Sequence, residues 1–323
     1  METAIKNQLK GTRKMKYISP KEAAQNWGVS ERMVCKYCMS GRISDAYQET
    51  GIWYIPEDAE KPARKQKEVK PMPPLLRKLL KQRDGKQYRG FYEYLQINMV
   101  YSNGRMASNR LTRNQIEMLY KKDKILTNGE PIKVNDIVEA RNHFLCVDTI
   151  LTNAMKPLTQ TFINQLQAEL LSDNCKHKRH DPTPVGYRKT AASRKFGKTT
   201  PPTKISAAMA SLIEKYEAKE SVEFEDILDF HVQFERIRPY EDCNGRIGRL
   251  IMLKECLRHD VTPFVIDDKR RTGYLDGIRF WDDDPDVLMD VCIEAQLRFE
   301  AQTALQGLME SHARLTRMME KNK

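Results

Sequence analysis

From Leu75 onward, apolar residues recur at every third or fourth position through most of the chain. The segments "PLLRKLLKQ", "NQIEMLYKK", "VNDIVEARNHFLCVDTIL", "LTQTFINQLQAEL", "ISAAMASLIEKYEA", "FEDILDFHVQFERI" and "IGRLIMLKECLRH" all show it. A 3.6-residue period puts those side chains on one helical face, whereas a strand would alternate them. The expectation is a mostly α domain. One stretch breaks the pattern: "VGYRKTAASRKFGKTTPP", Val185 to Pro202, is helix-poor and reads as a small β-hairpin. The last segment, Asp286 to Lys323, reads as a long helix with Val287, Val291, Ala295 and Leu305 on its apolar face.

The first quarter is organised differently. In "YISPKEAAQNWGVSERMVCKYCMSGRI", Ser19 suits a helix cap, Pro20 the first helical position, and Ala23, Ala24 and Trp27 share one face. Gly28 supplies a turn, and Ser30 caps a second helix that turns Met33, Val34, Tyr37 and Cys38 inward and Glu31, Arg32, Cys35 and Lys36 outward. "GIWYIP", Gly51 to Pro56, alternates as a short strand. This segment resembles the small winged helix-turn-helix domains of the MerR and excisionase type over residues 16–60. The resemblance implies that the second helix enters the DNA major groove, with Arg32 and Lys36 nearest the DNA and Arg42 near the wing. A protein-binding helical module is the other reading.

Charge favours the same end of the chain. Residues 1–73 carry 14 Lys and Arg against 9 Asp and Glu, net +5, while the remaining 250 carry 41 against 35, net +6. Positive charge is thus about three times denser in the first quarter, where a nucleic-acid partner would be sought. "KPARKQKEVKPMPP", Lys61 to Pro74, has the charge and proline content of an exposed linker. The expected organisation is a winged helix-turn-helix domain at 1–62, a basic linker and first helix at 63–84, a helical domain at 85–300 and a C-terminal helix at 301–323.

Seven scattered cysteines argue against a disulfide scaffold and for a reducing cytoplasm. Met1-Glu2-Thr3-Ala4 opens without an apolar signal core, and no run approaches a membrane span. Cys35 and Cys38 form a lone C-x-x-C inside a helix with no second pair nearby, so zinc is not expected. Cys175, His177 and His180 sit in a basic polar stretch that reads as a solvated loop.

"PYEDCNGRIGRLIMLKECL", Pro239 to Leu257, is the stretch with chemistry in it. Asn244-Gly245 allows a turn with positive φ that exposes backbone N–H groups at the start of an apolar helix, an anion site. Arg246 and Arg249 stand one turn apart and could share a polyphosphate. Asp242, just before the turn, could hold Mg²⁺ against phosphate oxygens. Without context, a plain helix entry with two arginines explains the same residues.

The context is "HVQFERIRPYEDCNGRIGR", which resembles the signature of Fic (Fido) domain protein adenylyltransferases. Pro239, Tyr240 in place of Phe, Asp242, Asn244, Gly245, Arg246 and Arg249 fall at that family's spacing, and His231, Phe234 and Ile237 match its preceding helix. The segment 185–202 resembles the family's flap, where a target protein docks. The resemblance extends over about residues 85–300. It implies a helical fold that transfers AMP from ATP to a target hydroxyl. By that resemblance Asp242 binds Mg²⁺, the Asn244–Gly245 turn cradles phosphates together with Arg246, and Arg249 grips the γ-phosphate.

Three departures qualify the resemblance. Arg238 stands where the family has its catalytic His, and a guanidinium has five donors, no acceptor and no accessible neutral form, so it is no general base. His231, about 10 Å back along a helix, is a poor substitute and reads as structural. Glu235 and Glu241 are nearer, but their spacing selects neither. The second departure is in "YSNGRMASNRLT", residues 101–112, which resembles the family's inhibitory helix with Asn103, Ala107 and Ser108 at the aligned positions. The glutamate expected at 107, partner of Arg249, is absent. The third is Cys243, which replaces a glycine of the anion cradle. A cysteine at a helix start beside arginines could be reactive, but a tolerated small side chain is the plainer reading.

These features point to a DNA-binding regulator whose helical domain holds ATP and Mg²⁺ yet transfers little or no AMP, in the manner of a pseudoenzyme. An active adenylyltransferase using another base, and an interaction module that binds no nucleotide, are the alternatives. Pairing with a second copy through the C-terminal helix is compatible with paired DNA half-sites.

Overall fold

The computed structural model describes residues 16–62, 71–87, 90–127, 129–172, 186–193 and 199–321, with side chains up to 307 apart from that of residue 306. The chain divides into two compact units, residues 1–70 and 71–323. The helix at 74–84, grouped above with the linker, therefore belongs to the second unit, and its Leu76 and Leu79 are fully buried there.

In the first unit, β1 (Tyr17–Ile18) leads into α1 (Pro20–Trp27), followed by α2 (Glu31–Met39), β2 (Tyr47–Glu49) and β3 (Ile52–Pro56). Ser19 and Glu22 close a reciprocal capping box at the start of α1, and Gly28 ends that helix at φ 62°. The three strands form an antiparallel sheet in the order β1-β3-β2, with Tyr47 opposite Tyr54 and Tyr17 opposite Pro56. Ala23, Ala24, Val34, Cys38, Ile43 and Ile55 make the core. Met33 does not join it. It is 42% exposed, whereas Val34 and Cys38, four residues apart, are buried in that core and Tyr37 packs against it half-buried. Cys35, expected outward, is half-buried, and Ser30 makes no side-chain cap bond.

The second unit contains ten α-helices among its described residues: α3 (Pro74–Asp84), α4 (Phe91–Met106), α5 (Arg113–Lys122), α6 (Val134–Asn153), α7 (Gln160–Leu171), α8 (Ile205–Glu217), α9 (Phe224–Ile237), α10 (Asn244–Arg258), α11 (Arg271–Phe280) and α12 (Asp286–Lys321). α10 is the central one, with every residue from Arg246 to Leu257 buried. Ile247, Leu250, Ile251, Leu253 and Leu257 pack into the main cluster, and Met252 and Cys256 into a second one with Tyr274, Leu288 and Cys292. Each large apolar side chain so buried stabilises the fold by about 2 kcal/mol.

A helix buried on all sides must satisfy its charged residues internally. Lys254, fully buried, donates to the carbonyls of Ala154 and Lys156 just past the end of α6 and to Glu255. Gly248 permits the approach of α9: a Cβ there would stand 2.7 Å from the His231 ring.

Two expectations need revision. In the segment read as a hairpin, the described residues 186–193 and 199–202 contain no strand, and the rest of it lies outside the described residues. Cys175, His177 and His180 lie outside them as well. α12 runs from Asp286 to Lys321 without a break at 300, but the expected face is rotated. Leu288, Cys292, Ala295 and Phe299 are buried, Val287 and Val291 are half-buried, and Leu305 is 48% exposed. The close crossing at Gly277, where a Cβ would lie 2.7 Å from the Leu288 backbone, sets that rotation. Among the described residues no helix is long and apolar enough to cross a membrane.

Candidate nucleotide-binding site

The site is the junction between α9 and α10. α9 ends at Arg238, which adopts a left-handed conformation (φ 52°, ψ 64°) and donates its N–H to the Phe234 carbonyl at 3.0 Å. The loop then turns at Cys243, also left-handed at φ 72°, and α10 begins at Asn244. The positive φ therefore falls on Cys243 and not on the Asn244-Gly245 pair. That is the conformation glycine adopts without steric cost, and the Cys243 side chain is nevertheless 97% buried in the main cluster.

Asn244 holds the loop together. Its Oδ1 accepts from the Tyr240 N–H at 2.9 Å and its Nδ2 donates to the Tyr240 carbonyl at 2.8 Å. Tyr240 is fixed from its other end by a 2.7 Å bond from its hydroxyl to Asn164 Oδ1. Asp242 Oδ1 accepts from the Cys243 N–H at 2.6 Å. With the loop so fixed, the first-turn N–H groups of α10 project from the helix end, where an anion is favoured.

The two arginines of the first turns lead to different partners. Arg246, 5% exposed, pairs with Glu139 Oε2 of α6 at 2.9 Å and with Asp242 Oδ1 at 3.3 Å. Arg249, 8% exposed, donates from Nε to Asn103 Oδ1 on α4, and its guanidinium lies 5.9 Å from the Tyr274 ring. Asn103 Nδ2 stands 3.2 Å from His143 Nε2. For that amide to donate, Nε2 must be unprotonated, and burial, reinforced by Arg246 and Arg249, holds the His143 pKa down to about 3.

Glu235 completes the group. Its Oε2 lies 3.5 Å from Arg238 Nη1. Its other oxygen, Oε1, is buried and accepts no hydrogen bond among the described residues. Gly245 shows where that oxygen lies: a Cβ added there would meet Arg249 Nη1 at 3.1 Å, Glu235 Oε1 at 3.3 Å and Arg249 Nη2 at 3.7 Å. Burial raises the Glu235 pKa, against the pull of Arg249 and Arg238. Burial also lowers that of Arg238, which leaves it no better as an acceptor. His231 is sealed off from the site, 1% exposed and bonded through Nε2 to the Tyr274 hydroxyl.

Ala107 is an exposed residue at the end of α4. The side chain of α4 that reaches Arg249 is Asn103, one turn earlier. Sequence reasoning also missed Arg188, 3% exposed, which ties the 186–193 segment to the loop. Its N–H donates to the Pro239 carbonyl at 2.8 Å, its Nε to the Arg238 carbonyl at 2.7 Å and its Nη1 to the Thr190 carbonyl at 2.7 Å. Thr190 Oγ1 in turn donates to Glu241 at 2.7 Å. In the first unit, Arg32 and Lys36 are exposed on α2, whereas Arg42 lies 4.8 Å from the Tyr37 ring centroid.

This donor set fits a nucleotide phosphate. Gly245 keeps the helix end clear of side chain, and Arg249 turns its terminal nitrogens toward it. For a divalent cation the site offers the half-exposed Asp242, 53% accessible, as a single carboxylate. That suits Mg²⁺ held mainly by phosphate oxygens and water, and among the described residues no cluster of three acidic, His or Cys side chains could hold a metal by itself.

The family model of the Fic/DOC family matches residues 157–256, from just before α7 to α10, so the chain carries a Fic-type domain. Among solved structures, a Fic domain containing signaling protein from Bacteroides thetaiotaomicron is similar at TM-score 0.57 and 19% identity, covering 72% of this chain and 94% of that one. A Fic family protein from Desulfovibrio desulfuricans G20 follows at 0.54 and 17%, covering 70% and 72%. Fic-1 from C. elegans, residues 134–508, is similar at 0.55 and 15%, covering 74% and 72%. Identities this low establish a shared fold. Among curated proteins no relative matches the chain.

Proposed function

We propose that the second unit binds a Mg-nucleotide, ATP first among candidates, at the α9–α10 junction and transfers AMP weakly or not at all. The observation that carries this reading is the separation of cradle from base. The helix end at Gly245, Arg249 and Asp242 remain in place, while residue 238 offers only donors. When bound, Mg²⁺ would neutralise phosphate charge. Asp242 would hold it, Asn244 would keep the loop in shape, and Arg249 would meet the terminal phosphate.

In the same reading the first unit binds duplex DNA through Arg32 and Lys36 of α2, with Arg42 near the wing formed by β2 and β3, which makes the whole a DNA-binding regulator of the cytoplasm. A target protein would dock along 185–202, where Arg188 and Thr190 link the segment to the motif loop.

Three measurements test the reading. Calorimetric titration with MgATP should show binding that Arg249→Ala weakens, and radiolabelled ATP should leave little label on the protein. No binding, or rapid transfer by the unaltered chain, contradicts it. Removing residues 1–62 should abolish DNA binding in a salt-dependent gel-shift assay; unchanged affinity places DNA contact elsewhere.

A further inference from the structure

We infer that the outer face of the β1-β3-β2 sheet docks a lysine- and arginine-rich peptide segment of another protein rather than DNA. The inference is independent of the nucleotide reading and starts from the pleat. Side chains alternate between the two faces of a strand, and Ile18, Trp53 and Ile55 belong to the core of the first unit. The strand register then puts Tyr17, Tyr47, Glu49, Ile52 and Tyr54 together on the opposite face. The rings form one group: Tyr17 and Tyr47 meet edge to face with centroids 5.1 Å apart, and Tyr47 stacks on Tyr54, also at 5.1 Å. Tyr47 is 43% exposed and Ile52 55% exposed, so this face is both aromatic and open.

Charge selects the occupant. Residues 43–60 hold five acidic side chains, Asp45, Glu49, Glu57, Asp58 and Glu60, and no Lys or Arg, although the whole chain stands at +11. Residues 16–42 hold five basic side chains against two acidic ones. A DNA phosphate is therefore drawn to the helices and repelled from the strands. Of the basic residues that flank the sheet in sequence, Lys61 donates to the Trp27 carbonyl and Arg42 lies over the Tyr37 ring, while Lys16 is exposed just before β1. A Lys or Arg laid across the Tyr47 ring gains cation–π attraction and reaches Glu49, two residues along the same strand face. The tyrosine rings and Ile52 cover the apolar stem of such a side chain.

The test uses the full chain and a short fluorescent peptide of alternating Lys and Ser. Anisotropy should show saturable binding of this probe, and the lysine-acetylated peptide, which has lost its charge, should not bind. Tyr47→Ala combined with Glu49→Gln should weaken binding about tenfold, the worth of one exposed cation–π contact and one surface ion pair together. In the unaltered protein, carbodiimide should couple a probe lysine to Glu49, located by mass spectrometry, and that arm requires no variant to fold. Absence of saturable binding, equal binding of the acetylated peptide, or coupling that spares Glu49 overturns the inference. So does a double variant that melts normally and binds the probe as before. Loss of duplex DNA binding, or of a dimer's mass in light scattering, by a double variant that still binds the probe assigns the face to DNA or to a second copy, and equally overturns it.

Discussion

Arg238→His should raise AMP transfer by about 10²–10⁴-fold, the usual contribution of a general base. At 1.36 kcal/mol per tenfold, that corresponds to about 3–5 kcal/mol of barrier. The structure explains why the exchange should leave the site intact. The backbone of residue 238 is held by its N–H bond to Phe234 and by the Arg188 Nε bond to its carbonyl, neither of which involves the side chain. Histidine is also among the residues that tolerate a left-handed conformation. What is lost is one ion pair, 3.5 Å long and partly exposed, and Glu235 keeps Arg249 as a neighbour. A stability loss of about 1 kcal/mol is expected. The assay is incorporation of label from [α-³²P]ATP into the protein itself and into added protein, across pH. A new imidazole acts as a base only when neutral, and Glu235 beside it favours the charged form, so the restored activity should fall as pH drops through 7. Equal labelling of the native and His forms would refute the reasoning, because Arg238 would then not be what limits the reaction.

Stability should fall in mild acid. His143 and His231 titrate near pH 6.5 when unfolded but are held to about 3 by burial in the fold. The unfolded chain therefore binds more protons between those values, and stability present above pH 6.5 is lost as pH falls toward 3. At pH 5 the loss is about 2 kcal/mol for each histidine. Urea unfolding at pH 7 and pH 5 measures it, and a His143→Gln variant should show a shallower loss. Gly277→Ala should destabilise the second unit by about 2 kcal/mol, because a Cβ there meets Leu288 backbone atoms that cannot rotate away. An unchanged melting temperature would mean that α11 and α12 are looser than described. The exposed Ile293, Leu297 and Leu305 of α12 suit pairing with a second copy. Light scattering should show a mass above the monomer that Leu297→Glu reduces, and a monomeric mass at high concentration excludes the pairing.

Local features of the fold were legible because they rest on local physics. The 3.6-residue period gave the helices, and Ser19, Pro20 and Gly28 marked both ends of α1 as the structure has them. The junction at residues 237–250 was legible for the same reason, since a polar turn opening an apolar helix is a contiguous pattern. What escaped were partners far away in the chain. Glu139 lies 107 residues from Arg246, and Asn103 lies 146 from Arg249. No spacing rule connects such positions, so both arginines looked free for phosphate when each already had a protein partner. The rotation of α12 was hidden because a close crossing at Gly277 decided it, a contact made by the absence of a side chain. Met33 was misplaced for a simpler reason: apolar character shows that a side chain can be buried, and only the packed partner shows whether it is.

Those distant partners also bear on how the site can keep its shape with an arginine at 238. Arg246 is neutralised by Glu139, Arg249 is held by Asn103, Asn244 is closed on Tyr240, and Arg188 clamps the loop through its carbonyls. None of these interactions needs a nucleotide, a metal or a base. The junction is therefore stable as a piece of folded protein, and residue 238 can change without releasing it. Arg238 does more than avoid harm, because it provides Oε2 of the buried Glu235 with a countercharge that a neutral histidine would supply less well. On the proposed reading of residue 238 as the position of the base, stability and chemistry thus pull in opposite directions there, and the chain carries the residue that stability favours.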